Sequence, residues 1–84
     1  MRYKVILAAG AQVALGGLLP PQRRAVHDAL DVLARRPTEV GRVHTGSGPE
    51  ALRQWELKPV EVSIQYRVRD RAVMVEVVWL IASP

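Results

Sequence analysis

The 84-residue chain contains no cysteine. That absence excludes disulfide scaffolds, thiolate-bound zinc, iron–sulfur clusters and thiol catalysis. Only two histidines are present, His27 and His44, far apart in the chain, so no histidine metal site is expected. No apolar run approaches the ~20 residues of a membrane span. Aromatic residues make up 5% of the chain and amount to Tyr3, Trp55, Tyr66 and Trp79. The first helical stretch lacks any charged side chain.

What remains is the composition of a folded protein: 49% hydrophobic and 24% charged residues. The length suits one domain spanning residues 1–84. Twelve Lys and Arg against eight Asp and Glu leave a formal charge of +4. Such a surplus favours an anionic partner, a nucleic acid or an acidic protein segment. Arg2 and Lys4 ahead of an apolar stretch imitate an export signal. Gly10, Gln12, Gly16 and Gly17 dilute that stretch, and Pro20-Pro21 follow it. The cytoplasm is therefore the expected location.

Tyr3, Val5 and Leu7 alternate with Lys4 and Ile6, which predicts a short strand. Ala11, Ala14 or Leu15, and Leu18 recur at helical spacing over residues 8–19. The uncharged outer face of that helix, with Gln12, Val13 and Gly16, is expected to touch a partner. Pro20-Pro21 start a second helix, over residues 22–36, with Val26, Ala29, Leu30 and Leu33 as its buried stripe. Its charged face reads as solvated, and Pro37 stops it.

Residues 37–49 are rich in Gly and Pro and read as a loop, with an extended piece at 40–43. Thr45-Gly-Ser-Gly48 lacks the lysine of a phosphate loop. A strand is predicted over 51–57, with Gln54, Glu56 and Lys58 on one side and Trp55 and Leu57 on the other. From Val60 the alternation is strict: Val60, Val62, Ile64, Tyr66 and Val68 inward, Glu61, Ser63, Gln65, Arg67 and Arg69 outward. A two-residue turn at Asp70-Arg71 is expected to pair Tyr66 with Val75, Ile64 with Val77, and Val62 with Trp79. All four aromatic residues then face the core, which argues against a base-stacking platform. The last strand is apolar on both faces except for Glu76. Met74, Val78 and Leu80 are left needing cover, as at a protein-binding surface.

The predicted order is β-α-α-β-β-β, an α+β fold with a small antiparallel-rich sheet packed on two N-terminal helices. The segments Tyr3-Lys-Val-Ile-Leu7, Leu30-Asp-Val-Leu-Ala-Arg-Arg-Pro37 and Ile64-Gln-Tyr-Arg-Val-Arg-Asp-Arg-Ala-Val-Met-Val-Glu-Val-Val78 resemble the RelE/ParE superfamily. Its members are the small toxins of type II toxin–antitoxin systems. The third segment is similar to the family's Tyr-x-Val-x-Asp-x-x-Val-x-Val-x-x-Val hairpin.

The resemblance implies a toxin held by a cognate antitoxin and acting on ribosome-bound mRNA or on DNA gyrase. In the nuclease branch it implies cleavage without a metal or other cofactor. The family's basic residues before the hairpin would fall at Gln54, Glu56 and Lys58, so Lys58 alone remains as a catalytic candidate. The family's Gly-Tyr-Arg lead-in is Glu61-Val62-Ser63 here, and its closing Arg and Tyr or His give way to Ile81-Ala82-Ser83-Pro84. The catalytic set is degenerate.

Three readings stand open at this level. The first is a reduced mRNA endonuclease, with Lys58 and Arg67 on phosphate. The second is a toxin, or toxin homologue, that acts by binding. The third is an unrelated small α+β interaction module. Arg42, Arg53, Arg67 and Arg69 are the candidate nucleic-acid contacts. Met74, Val78, Leu80 and Val13 are the candidate partner contacts, with a second copy of the chain as a further candidate partner.

Overall fold

A computed structural model describes residues 2–82. The chain runs β1 (Lys4–Leu7), α1 (Ala9–Gly16), α2 (Pro20–Arg35), β2 (Arg42–Thr45), β3 (Leu52–Leu57), β4 (Val62–Arg69) and β5 (Met74–Ala82). The strands form one sheet in the order β1-β5-β4-β3-β2. β1 pairs with β5 in parallel, and every other pairing is antiparallel. The α+β expectation holds, with one strand more than predicted. β2 rises from the extended piece expected inside the loop, and its four residues are all exposed.

Helix α2 needs no charged cap. Pro20 and Pro21 fill its first turn, where a missing N–H costs nothing. The Gln22 side chain accepts the Leu19 N–H at 3.0 Å and donates to the Val60 carbonyl at 3.2 Å. Its buried stripe is Val26, Ala29, Leu33 and Ala34. Val26, Ala29 and Leu33 of this stripe pack with Val62, Ile64, Tyr66 and Val68 of β4 and Val75, Val77 and Leu80 of β5. Helix α1 is short, contributes buried Ala11, and packs against β5.

The hairpin departs from the predicted register. Four residues, not two, join its strands: Asp70–Ala72 form a 3₁₀ turn, closed by Val73 N–H to the Asp70 carbonyl at 3.1 Å. Val73 sits in the left-handed region, φ 49°. The longer turn moves every pair by two residues, so Tyr66 faces Val77 and Arg67 faces Glu76. An even shift preserves the two faces, because side chains alternate with a period of two.

A bulge then reverses them. Beyond Tyr66, the partners become Gln65 with Trp79 and Ile64 with Leu80, leaving Val78 as the extra residue. Leu80 is therefore core at 4% exposure, which corrects its assignment to a partner face. Trp79, expected inside, is 48% exposed, and Ile81 is 40% exposed. At the other end β4 starts at Val62 and not Val60. Pro59 lies in a 3₁₀ turn, Lys58–Val60, that ends on left-handed Glu61, φ 57°.

Candidate nucleic-acid interface

The sheet face away from α2 is assembled by register. Gln54 of β3 lies between Arg42 of β2 and Gln65 of β4, and Glu56 faces Ser63. Gln65 Nε2 donates to Gln54 Oε1 at 3.0 Å. Gly41, Arg42, Val43, His44, Gln54, Glu56 and Lys58 line an open concavity of about 400 Å³. A smaller neighbour, about 300 Å³, shares Glu56 and Lys58 and reaches Glu61 and Ser63.

Arg42, His44, Glu56 and Lys58 are all exposed. None of the four makes a side-chain hydrogen bond or ion pair among the described residues. Two free cations therefore flank one free carboxylate. Nothing in the sequence pattern joins His44 to this group, because residues 37–49 read as a loop. Only the pairing of β2 with β3 brings Arg42 and His44 beside Gln54. The alternation of Arg42 and His44 about Val43 on an edge strand was the one signal available.

Two of the four arginines expected to hold nucleic acid are engaged within the fold. Arg53 lies on the opposite side of β3, half-buried, and does not reach this face. Its Nε donates to the Tyr66 hydroxyl at 3.3 Å, and its Nη2 donates to the carbonyls of Thr38 and Val40 at 3.3 and 3.2 Å. The Tyr66 oxygen is also 2.8 Å from the carbonyls of both Pro37 and Val40. Together the two side chains fasten the chain between α2 and β2. Burial pushes the Tyr66 pKa up, with the Arg53 guanidinium pulling the other way.

Arg69 is divided between Glu76 at 2.8 Å and Glu50 at 2.9 Å. Its hydrogen bond to Glu76 and the two carboxylate charges hold its pKa further up. With its charge met by two partners, it has little to offer phosphate. Arg67 lies half-buried on the open face, opposite Glu76, and has no hydrogen bond or ion pair among the described residues.

The apolar candidates divide as well. Met74 and Val78 are half-buried, and Val13 of α1 is 78% exposed. Trp79 and Ile81 take the exposed place that Leu80 was expected to fill. Ser83 and Pro84 lie outside the described residues.

No family model matches the sequence, and no curated protein does. Solved structures do. The chain superposes on the RelBE2 toxin–antitoxin complex of Mycobacterium tuberculosis with a TM-score of 0.84 at 21% identity. That match covers 99% of this chain and 100% of the other. This chain has the RelE toxin fold. The archaeal RelE–RelB complex of Pyrococcus horikoshii matches with a TM-score of 0.82 at 20% identity, over 98% of this chain and 96% of that one. The isolated E. coli RelE toxin gives 0.80 at 19% identity, over 98% and 85%. RelE-like order thus extends along nearly the whole chain, including the β2 strand that the loop composition concealed. Among the described residues, no helix of this RelE-like domain is long and apolar enough to cross a membrane.

Proposed function

We propose that the chain is the toxin of a toxin–antitoxin pair, neutralised by a RelB-type antitoxin and directed at RNA. The end-to-end correspondence with RelE chains, two of them solved as complexes with their antitoxins, carries this reading. The unpaired Arg42 and Lys58 on the open sheet face supply the attraction for a phosphate backbone. A carboxylate at position 56 and serine at 63 stand where the resemblance calls for basic residues. The phosphate contacts are correspondingly few.

A second reading is favoured by a separate observation. Exposed Trp79 and Ile81 continue the half-buried Met74 and Val78 along β5. A toxin acting through a protein target such as gyrase would use that strip.

Inducible expression of the wild type and Lys58→Ala in a bacterial host tests both readings, with growth followed and mRNA 5′ ends mapped. Arrest with new 5′ ends, relieved by an antitoxin and weakened by Lys58→Ala, is the expected result. Arrest with intact mRNA transfers the target to a protein. Folded protein that causes no arrest overturns the toxin reading.

A further inference from the structure

Of the two cations in the concavity, Arg42 sits on a paired strand and Lys58 does not. The last β3–β4 pair is Leu57 with Val62, and the four residues between them make no cross-strand pair. One internal hydrogen bond closes their turn, from Glu61 N–H to the Lys58 carbonyl at 3.2 Å. Pro59 has no N–H to add. Glu61 works against closure, being a residue other than glycine in the left-handed region, φ 57°. Packing leaves the turn incompletely supported as well. An apolar concavity of about 410 Å³ opens beside it, lined in part by Ala25, Trp55, Leu57, Pro59 and Val60. The Lys58 side chain has no hydrogen bond or ion pair among the described residues, so its place is inherited from this backbone.

Among the described residues, one side chain donates to the turn, and it belongs to α2. Gln22 Nε2 donates to the Val60 carbonyl at 3.2 Å, while Gln22 Oε1 accepts the Leu19 N–H at 3.0 Å. A carbonyl requires a donor and an N–H an acceptor, so the amide is held in one orientation. The bond to Val60 is partly buried, where water competes less for it.

The turn at the other end of β4 is built alike. Asp70–Ala72 is also a 3₁₀ turn, ends on left-handed Val73 and is closed by one backbone bond. It too is tied from outside: the Tyr3 hydroxyl donates to Asp70 Oδ1 at 2.7 Å, and Lys4 N–H to the Val73 carbonyl at 2.9 Å. Each strained turn thus has an anchor on a neighbouring element, β1 for one and α2 for the other.

We propose that Gln22 is a positioning residue for Lys58. By holding the Val60 carbonyl it fixes the turn that presents the ammonium group to the basic concavity. This inference rests on the RNA-directed reading above and adds to it a residue that touches no nucleic acid itself.

The test titrates a single-stranded uridine decamer of RNA at several salt concentrations. Gln22→Met removes both hydrogen bonds without a change of charge. Gln22→Glu keeps an acceptor for Leu19 and loses the donor to Val60, which separates the helix end from the turn. Each is expected to lower the slope of log affinity against log salt by up to about 0.7, the share of one phosphate contact on a single strand. Neither is expected to lower it further in a Lys58→Ala background, because the effect passes through Lys58. Solvent exchange of the Glu61 amide is expected to quicken in both variants. Tyr3→Phe, which loosens the opposite turn, is expected to bind RNA as the wild type does. A loss that persists in the Lys58→Ala background is one of overall charge or fold and overturns the proposal. Unchanged binding by both Gln22 variants, unchanged Glu61 exchange, or an equal loss from Tyr3→Phe overturns it too. Where Lys58→Ala weakens binding and the Gln22 variants do not, the positioning role alone falls. Wild-type binding by Lys58→Ala removes the RNA-directed reading, and the role of Gln22 with it.

Discussion

The six-membered ring of Trp79 sits on Gly10 of α1. A methyl group at Gly10 would fall 3.0 Å from Cε3 of that ring and nearer still to Cζ3. Nothing lies within 4 Å of the same position on Gly16, in the same helix. The two glycines should respond oppositely to alanine. Gly16→Ala is expected to stabilise by about 0.5–1 kcal/mol through helix propensity and a less flexible unfolded chain. Gly10→Ala makes the same gain but crowds the indole, an overpacking cost of about 1–3 kcal/mol, and is expected to lower stability. Urea midpoints of the two variants decide the matter, and a shared sign would refute the contact.

Tyr66 joins the core to the chain that leads into β2. Tyr66→Phe strands the Pro37 carbonyl and the Arg53 Nε, while the Val40 carbonyl keeps Arg53 Nη2, and should cost about 1–3 kcal/mol. Its pH dependence follows from burial, which raises the pKa of the folded phenol above its unfolded value of 10.0. The neutral phenol's contribution is complete below pH 10 and is lost as pH climbs from there through the folded pKa. Tyr3 acts in the same direction, because its hydrogen bond to Asp70 raises its pKa also. Stability of the wild type should fall above about pH 10, and Tyr66→Phe should decline less steeply. Parallel declines in alkaline titrations of unfolding would sink this account.

The bulge at Val78 separates two neighbours that sequence alternation alone treats otherwise. Leu80→Asp places a charge in the core and is expected to abolish folding. Leu80→Ala should cost about 2–5 kcal/mol. Ile81→Asp, at 40% exposure, should melt close to the wild type and lose antitoxin or target association instead. Circular dichroism melts together with co-purification check this, and a folded Leu80→Asp protein would contradict the register.

Among the cations, free charge and spent charge should behave differently towards single-stranded RNA. Each of Arg42→Ala and Lys58→Ala is expected to reduce the slope of log affinity against log salt by about 0.7. Arg69, already divided between Glu50 and Glu76, should leave that slope unchanged when replaced by alanine. Equal effects at all three positions would show that the concavity has no special role.

Much of the architecture is written locally. The helical stripe of α2 and the strict alternation of β4 are periodic patterns that one burying face imposes on its own chain. Pro20-Pro21 and Pro37 mark the ends of α2 because proline can begin a helix but cannot continue one. These features determined the fold class and the inward set Val62, Ile64, Tyr66 and Val68 from sequence alone.

Other features exist only between distant segments. Val73 in a left-handed turn set the hairpin pairing, and the Val78 bulge exchanged the faces of Trp79 and Leu80. Neither is a property of composition, since both depend on how β5 meets β4 while also packing against α1. Strand β2 is exposed throughout and has a single apolar residue, Val43, so no hydrophobic period announces it, and its hydrogen bonds to β3 hold it in place. That single cross-strand pairing set Arg42 beside Gln54. Composition and spacing establish which residues are apolar and at what interval. Tertiary structure decided which polar residues stand together, because side chains far apart in the chain become neighbours only through strand register.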